Sequence, residues 1–232
     1  MPVAIITGAS RGLGRALAHA LAGRGWDLVL DARTAKALEE AADGLRGHGV
    51  EVAALPGDVT DPAHRKELVA AAAEFGGLDL LVNNAGILGV EPLVPLESHP
   101  LDRFRAALEV NVVAPLGLIQ EALPLLRAAP EGAVLDISSD AAVEAYRTWG
   151  GYGATKAALD QLSAVLAVEE PGLRVWWVDP GGMRTEMLAA AEPEEAAGAP
   201  LPEEVVPAFL RLLDERAASS RYTAPELLGV TG

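Results

Sequence analysis

The feature that most constrains the fold of this chain is an alternation between short β-branched or leucine-rich runs and alanine-rich stretches with helical periodicity. This alternation is typical of βαβ units built around a parallel sheet. Buried strands are predicted at residues 3–7, 27–31, 51–55, 78–83, 133–138 and 174–179. Helices are predicted to begin near Gly12, Thr34, Asp61, Leu101 and Tyr152. The pattern therefore predicts a single α/β domain over residues 1–232, with a doubly wound parallel sheet and helices on both faces.

One stretch, residues 186–204, is rich in alanine, glutamate and proline and fits no regular element. Long irregular segments inside compact domains are often functional. We predict a mobile substrate lid here, and an irregular helix or a solvated acidic loop are the alternatives.

Charge and composition exclude several classes of protein. The chain has 18 basic and 33 acidic residues, a formal net charge of −15, which disfavours binding to nucleic acid phosphates. It contains no cysteine and its four histidines are scattered, so thiol catalysis, disulfides and a metal site are not expected. No basic export signal and no run of about 18 uncharged apolar residues is found. We therefore expect a cytoplasmic enzyme or binder of small molecules, without membrane or nucleic acid partners.

A glycine-rich turn follows the first predicted strand and opens the first helix. Residues 7–14 read Thr-Gly-Ala-Ser-Arg-Gly-Leu-Gly. Glycines at such a junction let the backbone approach a pyrophosphate, which then lies on the helix N-terminus. The spacing differs from the commoner Gly-x-Gly-x-x-Gly pattern, so a plain glycine-rich turn is the alternative. The junction favours a Rossmann-like dinucleotide site.

The second predicted strand ends at Asp31, Ala32 and Arg33, where the adenosine ribose of a dinucleotide would lie. An acidic residue there usually binds a free 2′-hydroxyl, whereas arginine binds a 2′-phosphate. Arg33 and Arg11 are therefore candidates for charge-assisted contacts to a phosphate. The alternative is an exposed Arg33 that pairs with Asp31.

Two further motifs follow predicted strands at the edge where open α/β sheets bind ligands. Asp58 and Val59 come after the third strand, and residues 83–86, Asn-Asn-Ala-Gly, come after the fourth. Asparagine and glycine are also ordinary turn formers, so these motifs alone do not decide between a turn and a site.

Tyr152 and Lys156 lie four residues apart on a predicted helix, which places them on one face. A nearby ammonium stabilises tyrosinate and so lowers the pKa of the phenol. The pair is thus suited to general acid–base chemistry. Ser138 and Ser139, at the end of the fifth strand, offer a hydroxyl that can donate to a substrate carbonyl from the same edge.

Two other reaction classes fit poorly. A serine hydrolase would need a Gly-x-Ser-x-Gly elbow and a later histidine, but the last histidine is His99, upstream of Ser139. A glycosidase would need two carboxylates close together in space, and the sequence spacing does not show which carboxylates could meet. A glycosidase would also leave the glycine turn without a role.

From the glycine motif through Met187, the chain resembles the short-chain dehydrogenase/reductase family. Thr7-Gly8-x-x-x-Gly12-x-Gly14 is similar to the family's cofactor turn, Asp58-Val59 to its adenine contact, 83–86 to its sheet-stabilising motif, and 180–185 to its nicotinamide-side loop. The resemblance implies that the cofactor is held by Gly8, Ser10, Arg11, Gly12, Leu13, Gly14, Arg33, Asp58, Val59, Asn84, Ala85, Gly86, Tyr152, Lys156, Pro180, Gly181, Met183 and Thr185.

The same resemblance implies a catalytic tetrad of Asn111, Ser139, Tyr152 and Lys156. Ser139 is chosen over Ser138 because the twelve residues between Ser139 and Tyr152 match the family's usual separation. Tyr152 would protonate the carbonyl oxygen during hydride transfer and Ser139 would hold that oxygen. Lys156 would contact the nicotinamide ribose and lower the pKa of Tyr152, while Asn111 would anchor a water that relays protons to Lys156.

The resemblance also implies the cofactor. NAD-preferring members carry an acidic residue where this chain has Ala32, and NADP-preferring members often carry arginine at Arg33. NADP(H) is therefore predicted over NAD(H), although Asp31 could repel a phosphate. The predicted activity is an NADP(H)-dependent oxidoreductase that interconverts a ketone or aldehyde and an alcohol. An NAD-dependent alcohol dehydrogenase and a non-catalytic NADP-binding redox sensor are the alternatives; a dehydratase or epimerase is disfavoured because such relatives carry a longer C-terminal domain.

The chain departs from the family pattern near its end. Asp140 and Asp179 add negative charge near the nicotinamide and would discourage anionic substrates. The family's usual final strand and its glycine-rich C-terminal segment are shortened here to residues 222–228, which puts the tetramer contact in doubt. A homodimer or homotetramer is expected, with the dimer contact through helices near 101–119 and 152–168.

The substrate pocket is predicted to be apolar, which favours an apolar or aromatic ketone or alcohol. Its predicted lining is Leu88, Val90, Val143, Trp149, Met187 and Leu188. The alternative is that Trp149 and Met187 only pack the lid against the sheet.

Overall fold

A computed structural model of the chain describes residues 1–229. It contains one sheet of seven parallel strands in the order β3-β2-β1-β4-β5-β6-β7. The strands are β1 (Val3–Ile6), β2 (Asp27–Ala32), β3 (Val52–Pro56), β4 (Leu80–Asn83), β5 (Ala133–Ile137), β6 (Arg174–Asp179) and β7 (Ser220–Thr223). The strand order reverses between β1 and β4, so the predicted doubly wound α/β fold is confirmed.

Helices cover both faces of this sheet. They are α1 (Gly12–Ala22), α2 (Ala35–Arg46), α3 (Pro62–Glu74), α4 (Leu101–Leu108), α5 (Ala114–Ala128), α6 (Gly150–Glu169), α7 (Glu186–Ala191), α8 (Pro193–Gly198), α9 (Pro202–Glu215) and α10 (Ala224–Leu228). Helices α1, α2 and α9 bury their apolar residues against one face, and α3, α5 and α6 against the other.

The first strand shows why the sheet is buried on both sides. Its four residues are all buried, with Ala4 and Ile6 in one core cluster and Val3 and Ile5 in the other. Successive side chains of a strand point to opposite faces. A continuous apolar run therefore serves two helical layers at once, as expected for a parallel sheet.

Local signals place the helix that follows β3. The Asp61 side chain accepts a hydrogen bond from the backbone N–H of Ala63 (2.8 Å), and Pro62 occupies the first turn. An N-cap acceptor and an early proline are the standard start of a helix. The helix begins where the sequence predicts.

The C-terminal region differs from the sequence prediction. Strand β7 was not among the six strands predicted from the hydrophobic pattern, because its sequence, Ser-Arg-Tyr-Thr, has no apolar run and remains half-buried at the sheet edge. The resemblance places the shortened final strand and C-terminal segment at 222–228, whereas the strand covers Ser220–Thr223 and residues 224–228 form α10. The segment 186–204, which was predicted to fit no regular element, forms α7, α8 and the first turn of α9. Its mobility stays a prediction.

A π-helical turn, Glu109–Val113, joins α4 to α5. The resulting helical segment, Leu101–Ala128, is the one helix within residues 1–229 that is long and apolar enough to cross a membrane by length and composition alone. Core helices of soluble proteins meet the same criterion, and this segment buries Leu118, Ala122 and Leu126 against the sheet.

Candidate active site

A large cleft of about 1600 Å³ lies along the carboxyl edge of the sheet. Every residue predicted to hold a cofactor lines this cleft except Gly14, which is buried behind the turn. The volume exceeds the roughly 300–1000 Å³ of ordinary ligand pockets. The cleft is large enough for a dinucleotide together with a substrate.

The glycine turn after β1 has the shape that a pyrophosphate requires. Gly8 and Gly12 adopt left-handed backbone conformations, with φ of 65° and 55°. A Cβ on Gly14 would lie 2.5 Å from the carbonyl oxygen of Gly8 and 2.5 Å from Nδ2 of Asn84. Only glycine allows so close an approach of helix and turn. The turn fits the phosphates of a dinucleotide at the N-terminus of α1.

Asn84 and Thr7 hold this turn against the end of β4. The Asn84 side-chain amide donates to the carbonyl oxygens of Thr7 (2.8 Å) and Gly8 (3.2 Å). The Thr7 hydroxyl accepts from the backbone N–H groups of Asn84 and Ala85, both at 3.0 Å. The motif after β4 therefore fixes the glycine turn as well as lining the cleft.

The sequence left open whether the Asp31 side chain pairs with Arg33, and in the structure it has other partners. Its carboxylate is buried beneath the glycine turn, where Oδ1 lies 2.7 Å from Nε2 of His64 and Oδ2 accepts from the Gly8 N–H (3.4 Å). It therefore does not pair with Arg33, which is exposed at the cleft. Burial raises the pKa of Asp31, and the Asp31 hydrogen bond raises the pKa of His64.

Asp58, which follows β3, also lines the cleft. Its Oδ1 accepts from the backbone N–H (2.9 Å) and the hydroxyl (2.8 Å) of Thr60. These hydrogen bonds, with the Arg33 guanidinium nearby, hold the pKa of Asp58 below its usual value. The carboxylate is thus ionised and fixed for accepting a hydrogen bond from a ligand amine.

Tyr152 and Lys156 share the cleft face of α6, as predicted. The Lys156 ammonium donates to the Ile137 carbonyl oxygen (2.7 Å) and lies 5.6 Å from the centre of the Tyr152 ring. Burial lowers the pKa of Lys156 to about 8. The expectation that Lys156 lowers the pKa of Tyr152 is not met in this structure, since burial, then Asp179 and Asp140, raise that pKa well above its ordinary value.

The two adjacent serines have different surroundings. Ser138 is buried and its hydroxyl donates to Asp160 on α6. Ser139 is half-buried at the cleft, where its hydroxyl donates to Asp140 (3.0 Å) and accepts from the Ala141 N–H (3.2 Å). The Ser139 hydroxyl also opposes the rise in the pKa of Tyr152. Ser139 is therefore the serine that faces Tyr152.

Asn111 lies behind the cleft rather than in its wall. It is fully buried in the π-helical turn. Its side chain exchanges two hydrogen bonds of 2.9 Å with the backbone of Ile87 and donates to the Thr155 hydroxyl (2.9 Å). These contacts tie the loop after β4 to α6. Its predicted role in holding a water stays a prediction.

A charged network supports the nicotinamide end, and sequence reasoning missed it. Arg221 on β7 donates to Oδ2 of Asp160 (3.1 Å) and to the Ser139 carbonyl oxygen (3.0 Å), and lies 3.9 Å from Oδ2 of Asp179. Asp179 in turn accepts from the Gly181 N–H (2.9 Å). The unusual acidic residue at 179 thus has a counter-ion and a turn to hold. Asp179, the acidic residue directly before the Pro-Gly-Gly loop, was the feature of the sequence that could have indicated a basic partner such as Arg221.

Four of the six predicted substrate-pocket residues line the cleft: Leu88, Trp149, Met187 and Leu188. Val90 and Val143 do not, and this part of the prediction is corrected. Val143 closes a short 3₁₀ turn after Ser139 and leaves its side chain 62% exposed. The Trp149 ring packs edge-on against Tyr152, with 5.7 Å between ring centres. Within residues 1–229, no cluster of three potential metal ligands is found.

Comparisons with known proteins agree with this geometry. A family model described as short chain dehydrogenase matches residues 2–196. The rhamnolipids biosynthesis 3-oxoacyl-[acyl-carrier-protein] reductase of Pseudomonas aeruginosa is 35% identical over 86% of this chain and 81% of its own length. The glycine betaine reductase of Emericella nidulans is 35% identical over 84% of this chain, which spans only 15% of that larger protein.

A solved structure is also similar. The alcohol dehydrogenase of Thermococcus sibiricus, complexed with 5-hydroxy-NADP, superposes with a TM-score of 0.87 and 31% identity, covering 96% of this chain and 95% of that chain. The protein belongs to the short chain dehydrogenase family, and is therefore an oxidoreductase of the NAD(P)-binding Rossmann type.

Proposed function

We propose that this protein is an NADP(H)-dependent carbonyl reductase, or alcohol dehydrogenase in the reverse direction. The observation that carries the proposal is the arrangement of the Tyr152 phenol, the Ser139 hydroxyl and the Lys156 ammonium in one cleft with a phosphate-shaped glycine turn. A site with a proton donor, an oxygen-holding hydroxyl and a dinucleotide cradle suits hydride transfer to a carbonyl.

The bound nicotinamide supplies the hydride. Tyr152 gives its proton to the substrate oxygen, and its raised pKa keeps the phenol protonated at neutral pH, as a proton donor requires. Ser139 turns its hydroxyl from Asp140 to the same oxygen and stabilises the charge that develops there. Lys156 would hold the nicotinamide ribose, and it carries a positive charge below its pKa of about 8.

Preference for NADP(H) is supported by the surroundings of Arg33. Its guanidinium is exposed at the cleft, and Arg11 lines the same end. Asp31, whose carboxylate would oppose a 2′-phosphate if it were unpaired, is hydrogen-bonded to His64, and a proton shared by this pair neutralises its charge. Arginine binds phosphate through a planar fork of donors, so these two residues favour the phosphorylated cofactor.

The substrate is proposed to be an uncharged or cationic carbonyl compound with an apolar group. Leu88, Trp149, Met187 and Leu188 supply apolar surface beside Tyr152. Asp140 and Asp179 raise the negative potential near the phenol, which repels carboxylate substrates.

The proposal includes a homodimer or homotetramer in the cytoplasm. Apolar side chains are exposed in the segments that the sequence predicts at the dimer contact: Val113 (46%) in the π-helical turn, Leu116 (36%) on α5, and Val165 (41%) and Val168 (80%) on α6. Exposed apolar surface of this kind suits a contact with a second copy of the chain.

The experiment is a pair of titrations followed by an assay. Purified protein is titrated with NADPH and NADH, and NADPH oxidation is then followed against ketones, aldehydes and diketones. Arg33→Ala is expected to weaken NADPH binding at least tenfold, about the loss of one charge-assisted contact, and to leave NADH binding unchanged. Preference for NADH would contradict the cofactor assignment. Tight NADPH binding with no turnover on any carbonyl would favour the redox sensor.

A further inference from the structure

A buried acid–base pair lies under the adenosine end of the cleft. Asp31, near the end of β2, is only 1% exposed, and its Oδ1 lies 2.7 Å from Nε2 of His64 on α3. The other carboxylate oxygen accepts from the Gly8 N–H (3.4 Å). The pair therefore joins the strand that carries the ribose site to the turn that carries the phosphate site.

The surrounding chain leaves a fitted space for this imidazole. A Cβ at Gly57 would lie 2.3 Å from Nδ1 of His64, so only glycine permits the ring there. The His64 side chain is 6% exposed. Gly57, Asp31 and Gly8 come from three different strand ends. Gly57 leaves room for the His64 ring, Asp31 hydrogen-bonds to it, and the Gly8 N–H holds the Asp31 carboxylate.

The pair is close to where a 2′-phosphate would be bound. Asp31 and Arg33 are two residues apart, and both line the cleft with Ser10 and Arg11. Ser10, Arg11 and Arg33 supply the hydroxyl and guanidinium donors that suit a phosphate. A change in the charge of Asp31 therefore acts on the same ligand group that Arg33 binds.

One proton decides the charge of the pair. With it, the pair is neutral overall, whether written as carboxylate and imidazolium or as acid and imidazole; without it, the pair carries one negative charge. The Asp31 hydrogen bond raises the pKa of His64, and burial raises that of Asp31. Among the described residues, the other charged groups that bear on the pair are Asp58, Glu67 (3.8 Å from Nδ1) and, through Asp58, Arg33.

We propose that Asp31 and His64 act as a one-proton switch that sets cofactor selectivity: the protonated pair admits a 2′-phosphorylated dinucleotide at Arg33, and the deprotonated pair repels it. This inference rests on the proposed NADP(H) function. It makes His64 a specificity-determining residue that acts through Asp31 without touching the cofactor. The affinity for a dinucleotide without the 2′-phosphate changes far less with the charge of the pair.

The test is the ratio of the dissociation constants of NADP⁺ and NAD⁺, measured by calorimetry between about pH 7 and about pH 9.5. The 2′-phosphate keeps a constant charge there, since its second pKa is near 6. The ratio is expected to rise about tenfold with pH, the scale of one buried charge acting over several ångströms at an effective dielectric constant near 20 to 40. Asp31→Asn, which carries no charge, is expected to hold the ratio low and flat.

Glu67→Gln is the matched control, because it removes a carboxylate that lies beside His64 with a 70% exposed side chain. It should keep the pH dependence of the wild type. A second readout does not depend on whether the Asp31 variant folds. The His64 ring is titrated by NMR in cofactor-free protein, and its signal is assigned because it is missing from the spectrum of His64→Gln. The midpoint of this titration should coincide with the midpoint of the change in the ratio.

The outcomes are distinguishable. A constant ratio in protein that binds NADP⁺ tightly overturns the inference and leaves the proposed function standing. A His64 midpoint that does not match the change in the ratio also overturns it. Binding of NAD⁺ with no NADP⁺ binding at any pH overturns the proposed cofactor, and the inference with it.

Discussion

Arg221 donates a hydrogen bond from Nη2 to the backbone carbonyl oxygen of Ser139 at 3.0 Å. The guanidinium belongs to the edge strand β7, beyond the segment matched by the family model. It links that strand to the residue that holds the substrate oxygen. The last strand therefore positions the active site even though it contributes no side chain to the cleft.

Arg221→Ala should lower both stability and turnover. The substitution leaves Asp160 and Asp179 without their counter-ion, and both side chains are about nine-tenths buried. Removing one partner of a buried charged network costs about 3–5 kcal/mol of unfolding free energy, measured by urea denaturation. We expect kcat to fall about tenfold with little change in NADPH affinity, because only the Ser139 side of the site loses its support.

Arg24→Ala is the control for this change. Arg24 makes a two-point ion pair with Asp214 at 2.8 Å, but both side chains are substantially exposed. Exposed pairs contribute about 0–1 kcal/mol. If the two variants lose equal stability and activity, Arg221 has no special role.

Gly14→Ala should weaken NADPH binding by more than its loss of unfolding free energy can explain. Its new Cβ meets the Gly8 carbonyl oxygen at 2.5 Å, so the turn must move, at a cost of about 1–3 kcal/mol. We expect NADPH affinity to fall by at least 100-fold in a fluorescence titration. Gly44→Ala, in open space within α2, should instead stabilise the protein by about 0.5–1 kcal/mol.

Lys156 should impose a pH dependence on both activity and stability. Its pKa falls from 10.5 to about 8 on folding because the ammonium is buried. Between these values the unfolded chain binds more protons than the folded one, so the free energy of unfolding rises as pH increases through this window. In the same window kcat/KM for carbonyl reduction should fall, because the ammonium is lost.

Lys156→Met is the matched variant, since methionine fills the space without titrating. It should remove the rise in unfolding free energy between about pH 8 and about pH 10.5 and should lose most activity at every pH. A rise in stability that persists in this variant would assign the titration to another group.

Much of the fold was predictable because its signals are local. The apolar runs of β1 to β6, the Asp61 cap and the glycine turn each follow from a few adjacent residues, although β3 lies at the sheet edge and is half-buried rather than buried as predicted. The tetrad positions were predicted from motif spacing and resemblance. Strand β7 was not predictable, because its polar sequence becomes a strand only by pairing with β6.

Interactions between distant segments account for the other misses. His64 and Asp31 are separated by 33 residues, and Arg221 and Ser139 by 82. No short-range pattern announces such contacts. Burial also reversed the expected direction of the Tyr152 pKa, because the desolvation of a phenol depends on the packed tertiary structure.

Val168→Lys should weaken self-association. Val168 is 80% exposed near the end of α6, on a helix predicted to contact a second copy of the chain. A buried lysine in that contact would be desolvated without a partner. Light scattering should show a smaller species than the wild type, whereas Leu228→Lys, on α10 and 40% exposed, should leave the mass unchanged.

Wild-type protein and Tyr152→Phe are compared for NADPH binding and for NADPH oxidation by the carbonyl panel. We expect the variant to keep NADPH affinity within a few-fold of the wild type and to lose about 100- to 10,000-fold in turnover, the range of a general acid. Turnover within a few-fold of the wild type would contradict the assignment of Tyr152 as the proton donor and, with it, the proposed reaction.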